Sequence, residues 1–181
     1  MSKEGEAAYG WPCCLKNEST LLADGVDSKV YRSGDIVIKD YEVVPGPKRM
    51  NSLTKETLFD YYRATNLAQK LVETEKMSLH LRSSNMDIPL KINPFLDLHN
   101  CEVCGGFEGI AEYIPGKTLY EVRGRADVCE LESLLTDLSI KIENKLGFYG
   151  INIVLLNVKV TGFGGLIVTD LCADICKLHR L

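Results

Sequence analysis

The chain has 181 residues, 45% of them hydrophobic and 25% charged, with 21 Lys+Arg against 25 Asp+Glu and a net charge of −4. That length and balance fit one folded domain, or at most two small lobes, and argue against disorder and against a dedicated nucleic-acid binder, which carries a clustered basic footprint. No apolar run reaches the roughly 18 residues a bilayer span needs, and MSKEGEAAYGWP lacks the apolar core of a secretory leader, so a soluble chain is expected. Seven cysteines, an odd number without a leader, read as reduced thiols in a cytosolic compartment.

Residues 1–20 are polar and expected to be flexible. Leu21-Leu22-Ala23 leads through Gly25 into Lys29–Arg32, then the turn pair Ser33-Gly34 and the strand Ile36–Tyr41, a β-hairpin stopped at Pro45-Gly46-Pro47. From Thr54, a suitable N-cap with Glu56 in the first turn, the pattern turns helical: Leu58, Tyr61, Tyr62, Ala68, Leu71 and Val72 recur at three- and four-residue spacing. Residues 77–98 are ambiguous between strand and turn. Cys101–Cys104, Gly105-Gly106 and Phe107–Ile114 read as a second hairpin, and Glu130–Leu146 as a second helix ended by Gly147. Ile153–Val160 and Leu166–Thr169 flank Gly162-Phe163-Gly164-Gly165 as a third hairpin. Segregated strands and helices indicate an α+β fold.

Three groups of residues carry chemistry. Gly25 stands between two small residues, Ala23 and Ser28, ahead of Val30, so backbone there can approach a phosphate, and Val37-Ile38-Lys39 ends the next strand in a cation. Asn157 and Asp170 bracket the last hairpin, and a carboxylate with an amide oxygen suits a hard ion such as Mg²⁺. Cys101-x-x-Cys104 near His99 has the spacing of half a zinc site, with no matching second pair.

In this order, the motifs resemble a minimal protein-kinase-like fold over about residues 21–176, with the nearest likeness to the very small kinases that bacterial pathogens inject through type III secretion. Glu112-Tyr113-Ile114-Pro115-Gly116-Lys117-Thr118-Leu119 is similar to the hinge that holds adenine in such enzymes. The resemblance implies a β-rich N-lobe over 21–114 with one helix, and a truncated C-lobe over 115–181. It implies that Gly25, Ser28 and Val30 cover the ATP phosphates, that Lys39 pairs with them, that Glu112 and Ile114 hold adenine, and that Asn157 and Asp170 bind Mg²⁺. A helix acid should pair with Lys39: Glu56 is named, with Asp60 and Glu73 as alternatives.

The same resemblance puts Asn152, five residues before Asn157, where the family has its catalytic Asp. An amide cannot take the substrate proton. Asp170-Leu171-Cys172 also stands in place of D-F-G, and with eleven residues following Asp170 no activation loop is expected. The leading expectation is an ATP- and Mg²⁺-dependent Ser/Thr protein kinase, secreted into a host cell and acting on a host protein, with the ninety-kilodalton heat-shock chaperone as one candidate. The alternatives are a pseudokinase acting by protein contact and an unrelated thiol- or zinc-containing adaptor. Antibiotic phosphotransferases share the hinge-like Ile114-Pro115-Gly116 but need a substrate lobe after the metal Asp.

Overall fold

The computed structural model describes residues 19–25, 27–43, 52–101, 106–122, 128–162 and 164–180. The expected flexible start through residue 18, the Pro45-Gly46-Pro47 stop, Cys104-Gly105 and Phe163 lie outside the described residues. The elements run β1 (Thr20–Asp24), β2 (Ser28–Ser33), β3 (Ile36–Tyr41), α1 (Lys55–Thr74), β4 (Ser78–Leu81), β5 (Met86–Ile92), β6 (Phe95–Asn100), β7 (Phe107–Glu112), α2 (Leu119–Val122), α3 (Val128–Leu146), β8 (Phe148–Tyr149), β9 (Val158–Val160), β10 (Leu166–Val168) and β11 (His179–Arg180). The fold is mixed α and β, rich in strands.

Five strands form an antiparallel sheet in the order β1-β2-β3-β7-β6. Four form a second in the order β4-β5-β10-β9, and β8 pairs with β11. Helix α1 starts where the Thr54 side chain accepts the Thr57 N–H, satisfying one donor the first turn leaves open. Its buried stripe of Leu58, Tyr61, Ala64, Thr65, Ala68 and Val72 follows the helical period. Helix α3 buries Leu131, Leu135, Leu138 and Ile142, and ends at Gly147, whose φ of 70° is the left-handed conformation glycine adopts without strain.

Two expectations change. The ambiguous segment is three strands, β4, β5 and β6; β6 pairs with β7, the Cys101 N–H continues onto the Gly106 carbonyl at 2.9 Å, and the rest of Cys101–Cys104 lies outside the described residues. The apolar run Ile153–Val160 becomes a strand only at Val158. Before it the chain forms a loop and a short 3-10 turn whose apolar side chains Ile151, Ile153 and Leu155 are buried anchors. The N–H of Asn152 bonds the Leu171 carbonyl and that of Ile153 bonds Ser139 Oγ, so these groups are not available to a hairpin ladder.

The boundary at 114/115 does not divide the strands into two sets. β5 pairs in parallel with β10, Leu90 opposite Leu166 and Ile92 opposite Val168, so one sheet draws on both sides of it. Between β5 and β6, the Asn93 N–H bonds the Val168 carbonyl at 2.8 Å and its Nδ2 bonds the Glu112 carbonyl at 2.9 Å.

Gly109 on β7 lies opposite Lys39, and a Cβ there would sit 2.6 Å from a Phe95 ring atom and 3.0 Å from one of Tyr41. Gly109→Ala must displace two buried rings, and the expected cost is about 1–3 kcal/mol in urea unfolding followed by circular dichroism. A loss under half of that would mean the rings yield freely.

Candidate functional site

Lys39 sits near the middle of β3, and its ammonium donates to Asp170 Oδ2 at 2.9 Å and to the Thr169 carbonyl at 3.1 Å. The two side chains are 9% and 25% exposed, so this is a largely desolvated ion pair. Asp170 follows β10, which the register with β9 and β5 holds on both sides. Tyr61 of α1 donates its hydroxyl to Asp170 Oδ1, and the Cys172 N–H approaches the same oxygen at 3.4 Å. Burial, with the Asp170 charge adding, holds the Tyr61 phenol well above its ordinary range, so it stays a donor.

The two expected asparagines come to the same place through their backbones. Thr169 donates its N–H at 2.8 Å and its hydroxyl at 3.1 Å to the Asn157 carbonyl, one residue before Asp170. Asn152 pairs on both sides of its peptide with the segment after Asp170: its N–H bonds Leu171 at 2.9 Å, and the Ala173 N–H bonds its carbonyl at 3.1 Å. The Asn152 side chain is exposed.

Two residues of α3 hold this loop. The Glu143 carboxylate accepts the N–H groups of Gly150 and Ile151 at 2.7 and 2.9 Å, and Ser139 Oγ accepts that of Ile153 at 3.0 Å. Gly150 has φ of 91° and lies against the Lys177 carbonyl, where no Cβ fits.

Gly25 and Ser28 close the β1–β2 connection, the Gly25 N–H bonding the Ser28 carbonyl at 2.9 Å. Val30 lies opposite Lys39 in the ladder. Between them, Asp27 reaches the segment after Asp170: its carboxylate accepts the Ile175 N–H at 2.7 Å and lies 3.6 Å from the Cys176 sulfur. Burial pushes the Asp27 carboxyl up, the Ile175 hydrogen bond opposes this, and the charge of Asp174 adds to it.

Glu56 is not brought to Lys39. It is exposed on the first turn of α1, while Asp60 pairs with Arg180 at 3.2 Å and Glu73 accepts from Gln69. What α1 turns toward the Lys39–Asp170 pair is Tyr61, because the acids lie off the buried stripe. Glu112 is the last residue of β7 and Ile114 follows it, with their carbonyls engaged: Glu112 accepts from Asn93, and Ile114 accepts from Lys159 Nζ at 2.6 Å.

The thiols divide. Cys101 is disulfide-bonded, which overturns the reduced-thiol reading there and removes Cys101 as a thiolate ligand for zinc. Cys129, Cys172 and Cys176 are in no disulfide, and burial, with Asp170 adding, pushes the Cys172 thiol far up, making it inert. Among the described residues, Asp27, Asp174 and Cys176 are the one cluster of three with ligand atoms within 4.8 Å of one another.

Tyr61, Glu143, Asn93 and Lys159 went unread in the sequence as site residues. Tyr61 is indistinguishable from its apolar neighbours in a helical stripe. Lys159 did leave a signal, as the one charge inside the run Ile153–Val160.

No family model matches the chain, and no curated protein sequence does. Among solved structures the chain is similar to three of WbdD. One is the high-resolution (2.2 Å) crystal structure, at 16% identity and a TM-score of 0.42, covering 90% of this chain and 33% of that one. The co-crystal structure with the kinase inhibitor LY294002 is 18% identical, with a TM-score of 0.39 and coverage of 88% and 33%. A medium-resolution structure of the bifunctional kinase-methyltransferase is 15% identical, with a TM-score of 0.37 and coverage of 86% and 30%. The chain thus spans about one third of the length of these proteins.

Tyr61→Phe keeps the ring and deletes the donor to Asp170. Hydrogen bonds to a charged partner contribute about 1.5–3 kcal/mol, and urea unfolding should show a loss of that size. An unchanged midpoint would mean that the hydroxyl does not bond the carboxylate.

Proposed function

We propose that this chain binds a nucleoside triphosphate with Mg²⁺ and transfers the terminal phosphoryl group to a protein Ser or Thr hydroxyl, as a small kinase-like domain. The observation that carries the reading is the Lys39–Asp170 contact, with Asn157 and Asn152 held by backbone bonds beside the same aspartate. The order of parts supports it: a glycine-containing connection, a lysine on the third strand, a helix, a connecting segment after β7, then a hairpin between Asn157 and Asp170. The choice of a protein as acceptor rests on the sequence resemblance, as does any targeting of a host chaperone. Among the described residues no helix is long and apolar enough to cross a membrane.

The donor set fits the ion. Asp170 offers a carboxylate and Asn157 an amide oxygen without a protein partner among the described residues, both hard ligands of the kind Mg²⁺ takes. When bound, Mg²⁺ would offset phosphate charge. Lys39 would exchange part of its contact with Asp170 for a phosphate oxygen, and the Gly25–Ser28 backbone would cover the phosphates. Phosphoryl transfer depends mainly on such positioning and charge compensation.

Asn152 limits the rate. Its amide has no basic lone pair for the acceptor hydroxyl proton, and a positioned base is worth about 10²–10⁴ in rate. This residue also favours a second reading, a pseudokinase that binds nucleotide and acts by protein contact.

Titration calorimetry of ATP tests the site. Binding should require Mg²⁺ and weaken at least about tenfold in Asp170→Asn, which keeps the shape and removes a charge. No binding at millimolar ATP or GTP would discard the nucleotide reading. Asn152→Asp then separates the alternatives. Phosphoryl transfer rising by about 10²–10⁴ identifies an enzyme frame, whereas a silent variant that still binds nucleotide identifies a binding module.

A further inference from the structure

We propose that Glu143 is a positioning residue for the acceptor side of this site: its carboxylate fixes the backbone leading into position 152 and so holds that side chain beside Asp170. The inference rests on the phosphoryl-transfer reading above and concerns the group that receives the phosphoryl rather than the nucleotide.

The backbone through position 152 has every N–H committed. Gly150 and Ile151 donate to Glu143 at 2.7 and 2.9 Å, Asn152 to the Leu171 carbonyl at 2.9 Å, and Ile153 to Ser139 Oγ at 3.0 Å. Both Glu143 bonds end on one oxygen, Oε1. Ile151 and Ile153 are buried and Asn152 between them is exposed, so two apolar anchors turn residue 152 outward. Its peptide pairs with Leu171 and Ala173, directly after Asp170, which places an accessible side chain next to that carboxylate. A macromolecular hydroxyl can approach there.

Helix α3 alone gives no reason for an acid at position 143. The helix ends at Leu146, so Glu143 stands in its last turn, where a negative charge meets the unfavourable end of the dipole. Among the described residues it has no Lys or Arg at ion-pair distance. The two loop N–H groups are what its carboxylate answers. The Glu143 carbonyl accepts the Gly147 N–H at 2.9 Å, which ends the helix and returns the chain toward the same side chain.

The cation end of the site is held separately. Asn157 accepts two bonds from Thr169 and donates its N–H to the Val154 carbonyl at 2.9 Å, with no contact to Glu143. Loss of the Glu143 carboxylate therefore frees residues 150 and 151 while Asn157, Asp170 and Lys39 keep their bonds. The transfer step should suffer and nucleotide binding should not, because only the first needs residue 152 in place.

The test uses the full chain carrying Asn152→Asp, which puts a base at position 152. Loss of the terminal phosphoryl group from ATP with Mg²⁺ is followed, whether to water, to the chain itself or to dephosphorylated casein, alongside calorimetry of the same nucleotide. Adding Glu143→Ala should lower kcat about 10–10²-fold, the scale of a displacement near 1 Å, and leave the nucleotide Kd unchanged. Glu143→Gln keeps one oxygen acceptor and should bring kcat back to within about threefold. Leu131→Ala weakens α3 away from the loop and should leave kcat as it was, separating loss of stability from loss of position. A kcat that Glu143→Ala does not move or Glu143→Gln does not restore overturns the proposal, as does a nucleotide Kd that rises in step with the fall in kcat. A silent Asn152→Asp chain that still binds ATP with Mg²⁺ also overturns it and leaves the nucleotide site standing. Absence of any ATP binding removes both readings.

Discussion

One ammonium group holds the two larger sheets to a common point. Lys39 belongs to the five-stranded sheet, and its partners, Asp170 and the Thr169 carbonyl, directly follow a strand of the four-stranded sheet. A lysine cannot be buried without a partner, because the cost of desolvating its charge is several kcal/mol. The surroundings answer that requirement in layers. Asp170 supplies the opposite charge, Tyr61 from α1 orients the carboxylate, and the backbone of Asn157 positions the residue before it. Removing either charge would leave the other stranded, a loss of about 3–5 kcal/mol in comparable buried pairs. Stability and the candidate chemistry therefore draw on the same atoms.

Polar residues away from the pair do the work that a thicker apolar core does in larger folds. Glu143 and Ser139 on α3 collect three backbone N–H groups from the loop that carries Asn152. Asn93 bonds both the Val168 carbonyl, two residues before Asp170, and the Glu112 carbonyl at the end of β7. Each of these fixes a loop that has few ladder partners of its own, and each satisfies groups that would otherwise be buried without hydrogen bonds. The loop around Asn152 is irregular but tied down at nearly every residue.

Local patterns were legible in the sequence where one local rule decides the outcome. The Ser33-Gly34 hairpin, the Thr54 cap, the α1 stripe and the Gly147 stop each depend on a few neighbouring residues, and the structure contains all four. The meeting of Lys39, Asn157 and Asp170 followed from the order of degenerate motifs rather than from any one of them. What escaped depends on distant partners. Glu56 looked as suitable for Lys39 as any helix acid, but only the helix's rotation against the sheet shows that its stripe presents a tyrosine. Ile153–Val160 read as a strand because a continuous apolar run does not reveal whether its backbone pairs in a ladder or with side chains such as Ser139. Cys101 carries no local mark of a disulfide.

The separation between partners also governs how the molecule can be assembled. Lys39 and Asp170 are 131 residues apart, and Asp27 and Ile175 are 148 apart. Contacts over such distances form only after the entropy of closing a long loop has been met, so they come late and slow the search for the native state. The three strands up to Tyr41 can pair locally, yet Lys39 has no countercharge until a segment 131 residues further along the chain has been made. Until that segment docks, the lysine stays in water and its side of the strand is uncovered. The segment around Asp170 thus serves as the closing element, completing a charge pair that the strands up to Tyr41 leave open.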